Sequence, residues 1–152
     1  CISFEPQPIL INRIKENRAI NDLTHKIDIA PFALGDFEGK VKLQISKSEL
    51  GSSAIGRNIE TNELIEVEQK TLEVALHEFK ENKVDIIKID VEGSEDKILH
   101  PYFSKLEKEY LPSLIIIENN AADWDINIIE WLQQTGYKKI GKTRGNVFLE
   151  KN

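Results

Sequence analysis

The chain has 152 residues, 40% apolar and 30% charged, which suits one globular domain with a sizeable core and excludes a disordered one. Its net charge of -6 at pH 7, with lysines scattered rather than clustered, argues against a nucleic-acid partner or an anionic membrane surface. Cys1 is the only cysteine, which excludes an intramolecular disulfide and a cysteine-based metal cluster and fits a reducing, cytoplasmic location. No apolar run approaches a membrane span, and none reads as a signal peptide, so neither is expected. The sequence contains no methionine and opens in strand-like Cys-Ile-Ser-Phe, so the expectation is a fragment, or a chain whose beginning is absent.

Residues 1–5 read as a short strand ending in the acid Glu5 and broken by Pro6 and Pro8. Ile9, Leu10, Arg13, Ile14 and Asn17 then recur at helical spacing, with proline tolerated at the helix start. Residues 26–34 predict a strand with an irregularity at Pro31. The turn-forming residues 35–40 precede the strict alternation of 41–45, so the two runs predict a hairpin. Residues 46–62 are polar and glycine-dotted: a solvated loop by composition, or a substrate lid. Residues 64–72 predict a strand, and 73–82 a helix.

Residues 84–91 carry the β-branched Val84, Ile86, Ile87, Ile89 and Val91, which predicts a strand buried on both faces, imperfectly at Lys88. It ends in Asp90 and Glu92, and Gly93 permits a sharp turn. Ser94 is placed to cap a helix carrying Glu95, Asp96, Ile98 and Leu99. Pro101 is expected to interrupt that helix, with residues 102–110 resuming it. After Pro112, residues 114–120 repeat the pattern, an apolar run ending in Glu118 and two asparagines. A helix over 125–135, stopped by Gly136, and two short strands at 137–140 and 146–150 close the chain. Alternating strands and helices predict an α/β fold with a mostly parallel sheet and a C-terminal antiparallel hairpin.

No P-loop, His-x-x-x-His pair or Gly-x-Ser-x-Gly elbow occurs. His25, His77 and His100 are far apart and lack neighbouring ligand types. Asp90, Glu92 and Glu95 are of a type that binds hard cations, but three acids in six residues are not specific. A strand tip bearing polar residues in the crevice of an α/β sheet is a place for a ligand, and it is also an ordinary surface feature. Glu5 stands where an acid accepts hydrogen bonds from ribose hydroxyls, but no glycine loop precedes it, and a helix-cap or surface role competes.

Phe4-Glu5-Pro6 with its helix, Ala33-Leu34-Gly35-Asp36 with Gly39, Gly51-Ser52-Ser53, the run Ile87-Lys88-Ile89-Asp90-Val91-Glu92-Gly93-Ser94-Glu95, and Ile116-Ile117-Glu118 occur in one order. Together they resemble the FkbM family of S-adenosylmethionine-dependent methyltransferases over nearly the whole chain. The Lys-Ile-Asp-Val-Glu-Gly-x-Glu run is the most specific part. The resemblance implies a Rossmann-like methyltransferase sheet, with residues 1–5 as its second strand and 84–91 as its fourth. It implies that Glu5 holds the cofactor ribose, that Ala33 and Leu34 lie near the adenine, and that Asp90 faces the methionine end and the transferred methyl. Glu92 becomes the candidate for orienting or deprotonating an acceptor hydroxyl, with Glu118 a weaker one, and Ser52 and Ser53 belong to a loop over the substrate.

The chain departs from the family pattern where the first strand and its Asp-x-Gly-Ala-Asn-x-Gly loop are concerned, since neither has a counterpart here. A sheet without that central strand exposes two apolar edges, so the expectation for residues 1–152 is a single partial methyltransferase domain that binds the cofactor poorly alone. Leu72-Glu73 replaces the family's usual Leu-Asp. Three functions follow: an O-methyltransferase acting on a sugar or other small hydroxylated acceptor; a non-catalytic binding module retaining the fold; and a metal-dependent hydrolase built on Asp90, Glu92 and Glu95.

Overall fold

The structure is a computed structural model that describes residues 1–45, 53–55, 63–119 and 122–152. It comprises two compact units, Cys1–Lys70 and Thr71–Asn152.

In the first unit, β1 (Ile2–Phe4) leads into α1 (Pro8–Ile20) and returns as β2 (Asp28–Ala30), parallel to β1 with Ile2 beside Asp28 and Phe4 beside Ala30. Pro8 occupies the first turn, where its missing N–H has no helical partner to lose. The Gln7 carbonyl accepts from the amides of Leu10 and Ile11. At the other end, Arg18 donates to the Ile27 carbonyl at 2.6 Å and ties the helix to the following segment.

Pro31 has no amide to offer a ladder, and the chain changes sheet there. The single strand expected over 26–34 is therefore two, β2 and β3 (Ala33–Leu34), which belong to different sheets. The expected hairpin is corrected as well. β4 (Gly39–Ile45) does not pair with β3, because β6 (Glu63–Lys70) lies between them, parallel to β3 and antiparallel to β4, with β5 (Ser53–Ile55) on the far side of β4. The reason is side-chain matching: Val41 faces Val67 and Leu43 faces Ile65, and with Ala33 these make one apolar face. The opposite face is charged, and Lys40 bonds Glu66 at 2.7 Å.

In the second unit, α2 (Leu72–Glu78) is capped by Thr71, whose hydroxyl accepts from the Val74 amide. β7 (Ile86–Ile89) leads to α3 (Glu95–Phe103), a short 3-10 turn (Lys108–Tyr110) and β8 (Leu114–Glu118). α4 (Ile128–Gln134), capped by Asn127, precedes β9 (Tyr137–Lys142) and β10 (Asn146–Lys151). The sheet order is β7-β8-β10-β9, with β7 and β8 parallel and the rest antiparallel. Ile115 and Ile117 of β8, Val147 and Leu149 of β10, Ile98 and Leu99 of α3, and Ile128 and Leu132 of α4 are all essentially inaccessible. The Tyr137 hydroxyl, buried here, donates to the Pro112 carbonyl at 2.6 Å.

Three expectations for this unit change. β7 is shorter than the run 84–91 and is not buried on both faces, since Ile86 is 57% exposed and Lys88, on the same face, is exposed as well. Pro101 does not end α3, which continues through it for two residues. Among the described residues the pairings are mixed rather than mostly parallel: four ladders are antiparallel and three parallel. No helix among the described residues is long and apolar enough to cross a membrane.

Candidate functional site

Parallel strands end at the same edge of a sheet, so β7 and β8 deliver their carboxyl-terminal residues side by side. Ile89 pairs with Ile117, which sets Asp90 beside Glu118 one residue further on. Glu92 joins them because the chain turns back at once: Glu92 has φ 57° and Gly93 has φ 100°. One carboxylate oxygen from each of Asp90, Glu92 and Glu118 lies within 4.8 Å of the others. Asp90 is exposed, and Glu92 and Glu118 are half-buried. Lys88, two residues back on the same face of β7, bonds Asp90 at 3.0 Å and offsets part of the charge.

A left-handed backbone is unusual at a residue with a side chain as long as glutamate, and it costs about 1–2 kcal/mol. The turn is held by Glu95, the first residue of α3. Its Oε1 accepts from the amides on either side of Glu92, Val91 at 3.0 Å and Gly93 at 3.4 Å. Its Oε2 accepts from the Trp124 indole at 2.7 Å. Next to it, Asp96 Oδ2 accepts from the amides of Asp125 and Ile126. Both carboxylates are buried, and both lie where the helix dipole favours negative charge. Ser94 precedes the helix but makes no side-chain cap bond, so the capping role expected for it is not observed; the two acids that follow it bond to groups outside α3. Glu95 is thus turned away from the cation-binding role considered for it; the structure gathers Glu118, not Glu95, with Asp90 and Glu92.

Gly93 is required twice. Besides its positive φ, a Cβ there would stand 2.8 Å from the Cβ of Asp123.

Glu5 lies in the first unit, at the end of β1, with its amide bonded to the Ala30 carbonyl. Its Oε1 accepts from the Gln7 amide at 2.8 Å, so part of the helix-start role weighed against ribose binding is present. Burial raises its pKa above the ordinary glutamate value, and the Gln7 amide opposes the rise. The folded state therefore binds this proton more tightly than the unfolded chain. The contribution to stability is largest below the unfolded value and is lost as pH rises through the folded one. Glu5→Gln, which keeps an acceptor for Gln7, is expected to be at least as stable as the parent at pH 7, with the advantage shrinking toward pH 4. Urea midpoints at the two pH values check this.

Ala33 is buried in the apolar face of its sheet, and Leu34 beside it is half-buried. Gly35 follows, and a Cβ there would meet the amide end of the buried Gln69, which donates to the Phe37 carbonyl. Ser52 lies outside the described residues. Ser53 pairs with Ile45 through its backbone in β5. His25 and His77 are exposed, and His100 packs edge-on against Trp131 with centroids 4.8 Å apart.

Sequence reasoning placed Asp90, Glu92 and Glu118 at strand tips but missed the clamp formed by Glu95 and Trp124. Acids in the first turn of α3 were visible as a signal, whereas their burial was not.

The family model described as the Methyltransferase FkbM domain matches residues 1–139. No curated protein matches the chain. Among solved structures, the chain is similar to the methyltransferase FkbM from Methylobacillus flagellatus KT, with 12% identity and a TM-score of 0.56. That similarity covers 99% of this chain and 36% of the other, so the chain spans about a third of that protein's length.

Proposed function

The chain belongs to the FkbM methyltransferase family, and from that premise we propose that it transfers a methyl group from S-adenosylmethionine to a hydroxyl of a sugar or other small-molecule acceptor. The observation that carries the reading is the convergence of Asp90, Glu92 and Glu118 beyond the ends of two neighbouring parallel strands. In this reading residues 1–152 are one partial methyltransferase domain acting in the cytoplasm, without a nucleic-acid or membrane partner. Within it, β1 would correspond to the second strand of the family's Rossmann-like sheet and β7 to its fourth.

The residues fit such a donor on charge. Three carboxylates with one lysine beside them form a net negative patch, which suits the cationic sulfonium and ammonium of S-adenosylmethionine. Glu5, with one oxygen on the Gln7 amide, keeps acceptor capacity for ribose hydroxyls. Ala33 and Leu34 would border the adenine, and Ser52 and Ser53 the acceptor. When bound, the cofactor supplies an already activated methyl group.

The remaining tasks belong to the chain. Asp90 would hold the methionine end, and Glu92 would orient the acceptor hydroxyl and take its proton, with Glu118 beside it. Orientation would supply most of the rate, because holding two reactants in near-attack geometry removes the entropy cost of bringing them together. Proton removal would add about a hundredfold.

Glu92→Gln is therefore expected to slow methyl transfer about a hundredfold while S-adenosylhomocysteine binding is unchanged. The check is transfer of radiolabelled methyl to a panel of simple sugars and small hydroxylated compounds, with the protein expressed from its complete reading frame. An unaltered rate would remove Glu92 from the base role.

A further inference from the structure

The carboxylate of Glu95 bonds both to the turn after β7 and to Trp124, beyond the end of β8. Oε1 sits in the pocket made by the Val91 and Gly93 amides after β7, and Oε2 holds the Trp124 indole in the segment after β8. The Val91 amide belongs to the peptide that follows Asp90 and the Gly93 amide to the peptide that follows Glu92, so Oε1 holds one peptide next to each acid. The two amides that meet Oε1 flank the left-handed Glu92, and backbone amides turned to one side around such a residue form a natural anion cradle. The occupant of that cradle is an internal carboxylate, not a ligand. Asp96 adds two bonds to the same β8-side segment, at Asp125 and Ile126.

We propose that Glu95 is a positioning residue, tying the turn that carries Asp90 and Glu92 to the Trp124 segment so that Asp90, Glu92 and Glu118 face a single ligand. The role rests on the methyl-donor reading of that cluster. It requires a carboxylate specifically. Three donors share two acceptor oxygens, and a glutamine offers one acceptor and one donor group, so it must abandon either the amides or the indole.

The test uses the protein expressed from its complete reading frame. Its first measurement is ¹⁵N resonances, followed at the amides of Val91 and Gly93 and at the indole of Trp124. In Glu95→Gln at least one end of the clamp is expected to move upfield as its bond to a charged acceptor is lost. The second measurement is calorimetric titration with S-adenosylhomocysteine. Glu95→Gln and Asp90→Asn are each expected to weaken binding about tenfold, and the double variant no further, because the first acts through the second.

Should Glu95→Gln fail to fold, Trp124→Phe carries the same cycle, since it removes only the β8-side bond. Additive losses, or unweakened binding, would overturn the positioning role and leave Glu95 a purely structural group. Unshifted amide and indole resonances would overturn the clamp itself. A folded parent that takes up no S-adenosylhomocysteine would overturn the donor reading and the positioning role with it, while the resonances still report whether the clamp exists.

Discussion

Glu95→Ala is expected to destabilise the unit Thr71–Asn152 by about 3–5 kcal/mol, read as a fall in the urea midpoint. The side chain is 0% exposed, and its removal leaves the Val91 and Gly93 amides and the Trp124 indole without their acceptor. Each orphaned donor costs more than the bond itself contributes, because water does not replace the lost partner in a buried place. Exposed ion pairs provide the contrast. Glu73 and Lys105 bond each other across α2 and its neighbour, but both side chains are more than half exposed, and Glu73→Ala is expected to cost less than about 1 kcal/mol. A loss for Glu95→Ala no larger than that of Glu73→Ala would contradict the clamp.

Gly93→Ala is expected to destabilise by about 2–4 kcal/mol and to abolish the alignment of the acid cluster. Two causes act together: φ of 100° is disfavoured for any residue with a Cβ, and the added carbon would stand 2.8 Å from Asp123 Cβ. The segment after β8 must then move, and the distance between Glu92 and Glu118 with it. Gly136, also at positive φ but with open space around its Cβ position, isolates the first cause. Gly136→Ala is expected to cost only the backbone part, so the difference between the two variants measures the contact with Asp123.

The acid cluster was largely legible in the sequence, because its cause is local. Two apolar runs, each ending in acids, imply two buried strands with polar tips, and parallel pairing brings such tips together. What the runs do not specify is how far each strand persists. β7 stops at Ile89, since the turn through Glu92 and Gly93 begins almost at once. The pairing of β3 with β6 was not legible, because proximity in sequence favours a hairpin with β4, whereas cross-strand matching of Val41, Leu43, Ile65 and Val67 inserts β6. Glu95 escaped for a related reason. A glutamate in a first helical turn reads as solvated, and the indole that satisfies it lies 29 residues away. Long-range partners decide whether a charge can be buried, and a single sequence does not display them.

Pro101 shows the opposite error, a local rule overridden. Proline discourages a helix interior, yet α3 has only two residues beyond it, and Ile98, Leu99 and Phe103 bury the same side of the helix. Packing of those three outweighs one missing hydrogen bond.

The most direct test of the account is calorimetric titration of S-adenosylhomocysteine into the protein expressed from its complete reading frame, alongside Asp90→Asn and Glu5→Gln. The account predicts one binding site per chain, with each variant folded and binding at least tenfold more weakly. A folded parent that binds nothing, or binding indifferent to both substitutions, would contradict it.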